Sequence, residues 1–229
     1  MEKSANFELP YANISEQYTD ARMLLREALK ATGRVYLSSR FDDHFFTLSN
    51  IEQLNLLQSL ESWSKFILEF VASGGNHKKT RDVLRYYLSR LNFTAPDSFL
   101  NQIQDGDVVE IYGSDSRRLF ANPELFDFSS YAPDVMFSGQ WWNLYERDPM
   151  ISQKLQEIGY ETFMGLNKTT VQPDIPVHTV KELRSQGRYT SEVQIRAVAP
   201  ITIGTTVVAV AALETFRLLE GVKPSHIHS

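Results

Sequence analysis

Polar and apolar positions alternate most clearly between Tyr189 and Ala199. Tyr189, Ser191, Val193, Ile195 and Ala197 fall on one side, and Thr190, Glu192, Gln194 and Arg196 on the other. A period of two predicts a half-buried strand. Ser185-Gln186-Gly187 before it and the stretch from Pro200 to Gly204 after it predict turns. From Thr205 to Leu213 both alternating sets are apolar, Val207, Ala209 and Ala211 against Val208, Val210 and Ala212. A strand of that kind is covered on both faces, so another part of the chain, or a second copy, must lie against its outer side. Thr179 to Glu220 therefore predicts three strands in meander followed by the start of a helix.

Upstream the period changes. After an arm closed by Pro10, Tyr18, Ala21, Leu25, Ala28 and Leu29 form a helical stripe between Ile14 and Thr32, with Gly33 as its C-terminal cap. Arg34 to Leu48 fits helix or strand. Ser49-Asn50-Ile51-Glu52 matches a capping box, and the helix it opens places Leu56, Leu60, Trp63, Ile67 and Phe70 on one face, widened by Leu57, Leu68 and Val71. Gly74-Gly75 ends that helix. A further helix is predicted over Thr80 to Leu91, and a short one after Pro96. Past Asp105-Gly106-Asp107 the helical period stops. Val108 to Tyr112 and Arg118 to Asn122 predict a strand pair around a Gly113 to Ser116 turn, and Glu124 to Phe128 a short helical stretch. An aromatic-rich segment without clear period leads to a helix over Ile151 to Met164 and a loop over 165–177.

Composition narrows the class. The 229 residues are 42% hydrophobic and 12% aromatic, enough for one good core or two modest ones. A net charge of -5 gives no global argument for nucleic acid or an acidic membrane surface. The absence of cysteine removes disulfides, thiolate catalysis and cysteine-ligated metal. The first residues lack a continuous apolar stretch, so no signal peptide is expected, and no apolar run approaches the roughly 20 residues of a membrane span. A cytoplasmic location follows as the expectation.

In order and spacing, VVEIYGSDSRRLFANPELFDF with its Asn122-Pro123 step, VKELRSQGRYTSEVQIRAVAPI ending at Pro200, and VVAVAALETF resemble the opening strand pair, the middle strands and the last strand of a PAS domain, the Period-ARNT-Sim sensor fold. The resemblance covers about residues 106–219. Many members carry Asp-Ile-Thr where this chain has Glu214-Thr215-Phe216. Together with the helical period upstream it gives an expected α+β fold: a helical region with an N-terminal arm (1–104) packed on a PAS-like antiparallel sheet domain (105–220), with a flexible tail (221–229). It implies no cofactor. The flavin and yellow-chromophore branches need a cysteine, and His178, at a strand start, is poorly placed as a haem ligand.

Among candidate sites, no Walker A loop, GxGxxG, HExxH or GxSxG occurs. Asp42-Asp43-His44 and His226-Ile227-His228 could offer metal or acid–base groups, but a solvated turn and a loose chain end account for them, and no metal is expected. Lys78, Lys79, Arg81, Arg85 and Arg90 could dock an acidic partner or a nucleic-acid backbone; the competing reading is the solvated face of an amphipathic helix. In a sensor fold the aromatic segment walls an internal cavity, for which Phe120, Phe126, Phe128, Tyr131, Trp141, Trp142 and Tyr145 are the candidates, with Val193 and Ile195 from the sheet. The alternative is that these rings fill a core. Arg196, Val208, Val210 and Ala212 are assigned to an interface.

The function these features predict is a sensory or regulatory signal-transduction protein. It would bind a small ligand or a protein partner and act by conformational change or dimerisation, as a homodimer or with a regulatory partner, without direct nucleic-acid or membrane contact. The alternatives are a small-molecule enzyme with an aromatic cup, for which Asp148 and His178 are the polar candidates, and a ligand-free interaction adaptor.

Overall fold

Ser49 and Glu52 close the expected capping box: the Glu52 N–H donates to the Ser49 hydroxyl at 3.4 Å and the Ser49 N–H to the Glu52 carboxylate at 2.8 Å. From there α3 (Asn50–Ala72) buries Leu56, Leu60, Trp63, Ile67 and Phe70, the five residues of its predicted face. Gly74 then ends the helical turn with a φ of +84°, a conformation that costs glycine little. The computed structural model describes residues 13–34, 42–183 and 189–220. The predicted N-terminal arm, the turn at Ser185-Gln186-Gly187, and the tail with His226 and His228 lie outside the described residues.

Beside α3 lies α1 (Ile14–Ala31), burying the predicted stripe from Tyr18 to Leu29. The ambiguous stretch contains α2 (Asp42–Thr47), whose Phe45 ring stacks on Tyr18 at 3.9 Å. Two more helices complete the N-terminal region, α4 (Thr80–Arg90) and α5 (Asp97–Leu100).

The second half forms an antiparallel sheet. Its strands are β1 (Val108–Tyr112), β2 (Arg118–Ala121), β3 (Tyr145–Glu146), β4 (His178–Glu182), β5 (Thr190–Ile203) and β6 (Thr206–Glu220), in the order β2-β1-β6-β5-β4-β3. Between β2 and β4 run a 3-10 turn (Pro123–Asp127), α6 (Pro133–Ser138), a second 3-10 turn (Trp141–Asn143), β3 and α7 (Pro149–Phe163). The chain is thus α+β, with a helical N-terminal region on an antiparallel sheet.

The helical region and the sheet share one core. Leu60, Phe66, Phe99, Val109, Ile111, Ala199, Ala211 and Leu213 belong to a single buried cluster. Trp63 Nε1–H donates to the Ala121 carbonyl at 2.8 Å, fixing α3 to β2. Asn122 adds a buried clamp, accepting from the Val109 N–H at 2.8 Å and donating to the Asp107 carbonyl at 2.8 Å. On the opposite face a smaller cluster of Val180, Val193, Ile195, Val198 and Val210 meets Leu155, Ile158 and Phe163 of α7. Both faces of β6 are therefore covered from within the chain.

Three expectations are corrected. Pro200 does not end its strand: β5 runs on to Ile203, and the turn is at Gly204-Thr205. The Val198 and Thr202 N–H groups point away from β6, to Val171 and Thr94, so the same-parity position 200 would aim its N–H at an edge with no partner strand. Proline costs little there. No helix starts near Glu214 either. Glu214 to Glu220 continues β6 because the first half of β5 offers it a ladder, Ile195 opposite Glu214 and Val193 opposite Phe216. Finally, a register shift between Ile195 and Ala197 breaks the alternation, so Ala197 joins the helix-side core while Ile195 and Val198 share the other face.

Candidate functional site

β1 alternates from Val109 onward. Val109 and Ile111 face the helices, so Glu110 and Tyr112 face the other way. A second register shift, between Ile111 and Tyr112, opposes Tyr112 to Arg118 while Ile111 still opposes Phe120. Leu119 is left exposed at the bulge and Arg118 swings onto the face of Glu110. From β6 come Val210, Ala212 and Glu214, and from β5 Ile195 and Val198. α7 bridges this floor with Leu155, Gly159, Tyr160 and Phe163, and Trp141, Trp142, Tyr145 and Arg147 close it. Between them is a cavity of about 500 Å³, within the range of small-molecule sites. A Cβ added at Gly159 would meet nothing within 4 Å.

The floor of this cavity is charged. Glu110 and Arg118, 3% and 2% exposed, form a buried ion pair through Arg118 Nε, and Arg118 Nη1 also donates to the Met136 carbonyl. Burial alone would push Arg118 down, but the Glu110 carboxylate holds its pKa above the usual value. Its guanidinium lies 5.8 Å from the centre of the Tyr112 ring. Glu214 is different. It is 5% exposed, and its Oε2 has no hydrogen-bond partner among the described residues. Burial, and next the Glu110 charge, push its pKa up to about 8, against the lowering effect of Arg147 and Arg118. Arg147 lies over the Trp141 ring at 4.9 Å with a buried Nε that also lacks a partner. Burial raises Tyr112 and Tyr145 as well.

Two other buried carboxylates are well supplied. Glu182 accepts from the Ser129 hydroxyl at 2.9 Å and from the Ser130 and Tyr189 N–H groups at 2.7 and 3.0 Å. Asp107 accepts from Arg196 Nη1 at 2.7 Å and from the Gln104 N–H at 2.7 Å. Buried polar groups are normally paired. Asp134 Oδ1 also lacks a partner among the described residues while its Oδ2 accepts from the Tyr18 hydroxyl at 2.7 Å, and of these two carboxylates it is Glu214 that lines the cavity.

The predicted cavity residues divide. Trp141, Trp142, Tyr145 and Ile195 line it. Val193 is buried in the adjoining apolar cluster. Phe120 faces the helices and stacks on Tyr87, and Phe126 packs edge-on against Trp63. Phe128 stacks on Phe216, and Tyr131 donates its hydroxyl to the Leu144 carbonyl at 2.7 Å. These four aromatics belong to the helix-side core and its margin, Phe120 through its place on β2 and the other three because the segment after β2 folds as separate short turns rather than as one wall.

The residues assigned to an interface are also relocated. Val210 and Ala212 face the cavity and Arg196 turns in to Asp107. Val208 packs on the helix-side core, where β6 slips against β5 between Ile201 and Thr202. Glu110, Arg118 and Glu214 are absent from the sequence-based set. Their signal was a charge inside an otherwise apolar strand, VVEIY and VVAVAALE.

The remaining candidates lie elsewhere. His44 Nε2 is 2.7 Å from the Ser138 hydroxyl, while the side chains of Asp42 and Asp43 lie outside the described residues. Among the described residues no group of three or more His, Asp or Glu is placed to hold a metal ion, and no helix is long and apolar enough to cross a membrane. Asp148 caps α7 by accepting from the Met150 N–H at 2.8 Å, and His178 Nδ1 lies 3.0 Å from the Pro176 carbonyl; neither lines the cavity. Of the basic stretch, Lys79 pairs with Asp105, Arg90 with Glu69, and Arg81 donates to the Ile103 carbonyl at 2.9 Å. No family model matches the chain, and no curated protein matches it significantly.

Proposed function

We propose that this is a sensory or regulatory protein that binds a small molecule in the cavity between α7 and the sheet and passes the event to its N-terminal helices. The observation that carries the reading is the cavity itself, about 500 Å³ with aromatic walls and a charged floor. Its setting supports a signalling role. The strands that present Glu110, Tyr112, Ala212 and Glu214 to the cavity present Val109, Ile111, Ala211 and Leu213 to the helical core. A ligand that favours one arrangement of β1 and β6 shifts the packing of α3 and α1 by its differential affinity for the two states. A change in self-association or in the hold on a regulatory partner is the output of this reading. The order of elements, a strand pair, short helices, a longer helix and three antiparallel strands, is the order on which the PAS resemblance rests, and a cytoplasmic sensor is its natural setting.

Gly159→Leu tests this. Its side chain would enter the cavity, and replacing a mid-helix glycine favours folding by up to about 1 kcal/mol. Thermal-shift screening of a small-molecule library against wild type and variant should give ligands that stabilise the wild type only. A library without such ligands, or ligands that stabilise both proteins equally, would sink the proposal.

A further inference from the structure

We infer that the cavity selects a small organic ammonium compound, a primary amine or protonated nitrogen heterocycle on an apolar body, whose nitrogen sits at Glu214. This rests on the ligand-binding reading above and names the class of ligand.

Glu214 Oε2 is buried, lines the cavity and has no partner among the described residues. A buried acceptor left unpaired costs stability, and a ligand donor removes that cost. The other charges on the floor are already committed, since Arg118 donates to Glu110 and to the Met136 carbonyl. Beside Glu214 a ligand anion would meet two carboxylates and an Arg118 already committed, with Arg147 as the one guanidinium of the cavity that has an unpartnered nitrogen. A ligand cation meets the unpaired oxygen of Glu214, with the rings of Tyr112, Trp142 and Tyr160 around the same cavity. Aromatic faces attract ammonium groups, more strongly away from water. Arg147, stacked on Trp141, has a charge that reaches Glu214 and opposes a cation, while its unpartnered Nε suits an oxygen on the same ligand.

The groups that face Glu214 or share its cavity are Glu110 and Tyr112 on β1, Arg118 on β2, Tyr145 on β3 with Arg147 just after it, and Tyr160 on α7. Burial and Glu110 keep Glu214 largely protonated near neutral pH. A bound ammonium favours the carboxylate, so amine binding releases a proton. A ligand that accepts a hydrogen bond from the protonated carboxyl would not release one.

The test uses phenethylamine, phenylacetate and 2-phenylethanol, which share one ring and differ in charge. Calorimetry is run near neutral pH in two buffers of different ionisation enthalpy. Phenethylamine is expected to bind at least about tenfold tighter than the other two, as a charge-assisted hydrogen bond implies, and to release up to one proton. Glu214→Gln should remove both the preference and the proton release. Equal binding of the three, or a preference for phenylacetate, overturns the inference. If Gly159→Leu still blocks that binding, the cavity reading survives the loss. If none of the three binds but the library yields anionic or neutral ligands, the ammonium inference is likewise overturned while the cavity reading stands. If probes and library both fail, the two fall together.

Discussion

On one side of the sheet α3 buries nine of its 23 residues, among them Trp63, Phe66 and Ile67, in a core shared with α1, α6 and the sheet, and it reaches β2 through Trp63 and Phe66. On the other side α7 buries one of its 15, Thr162, and reaches the sheet through half-buried Leu155, Ile158 and Phe163. The two helices lie on opposite faces of one sheet, and those faces differ in what the strands present. Toward α3 they show valine, isoleucine, alanine and leucine. Toward α7 they also show the buried Glu110, Arg118 and Glu214, polar groups for which an apolar helix offers no partner. The first face holds the fold together. The second keeps a space at some cost in stability, the usual compromise of a binding site.

The comparison predicts where the chain breaks. Trp63→Ala removes a fully packed ring and leaves the Ala121 carbonyl without its donor. Urea unfolding should show a loss of about 3–5 kcal/mol. On the other face the damaging change is to charge rather than volume. Arg118→Met strands Glu110 in a site where both are buried, and should cost about 3–5 kcal/mol. Replacing Glu110 by Leu in the same chain should recover much of that loss, since a buried pair exchanged whole for apolar groups is close to neutral. A double variant as unstable as Arg118→Met alone would show that the pair itself, and not the orphaned charge, carries the energy.

Legibility divided along the same line. The face of α3, the stripe of α1 and the capping box followed from period and local chemistry, because each depends on residues within a turn or two. The cavity depended on long-range register. Simple alternation puts Arg118 with Phe120, and Ile195 with Ala197. The shifts at Ile111/Tyr112 and at Ile195/Ala197 undo both pairings, and a bulge leaves little trace in hydrophobic pattern. The run of Glu214 to Glu220 as strand was hidden for a similar reason: its ladder partner lies about twenty residues away on β5. Glu110 and Glu214 were visible as charges in apolar strands, but nothing local indicated that they would meet on one face.

A smaller effect separates the faces by pH. Glu214 and Glu124 are raised to about 8 and about 7, in each case chiefly by burial. Between the ordinary value of 4.5 and those values, the folded chain holds more protons than the unfolded chain. Stability therefore falls as pH rises through this window and levels off above it. Glu214→Gln removes one of the two contributions. The variant should lose less stability toward the alkaline end and exceed the wild type there by about 1–3 kcal/mol. Identical slopes for variant and wild type would mean that Glu214 is ionised in the folded state, and the charged floor would need another account.

The smallest expected effect is the most direct probe of the contrast. Phe163 is half-buried at the end of α7 and lines the cavity on one side. Truncating it removes contacts from a wall that already borders empty space, so little new cavity forms, and the cost depends on the void a substitution creates. Phe163→Ala should lower stability by about 1 kcal/mol, well below the full cost of a buried phenylalanine. Hydrogen exchange should show α7 opening more readily than α3 in both wild type and variant, because the helix with fewer buried contacts belongs to the weaker cooperative unit. A loss as large as that of Trp63→Ala, or equal protection of the two helices, would make α7 a full structural partner of the sheet. The cavity beneath it would then be a packing defect of a rigid core rather than a space that a ligand opens and closes.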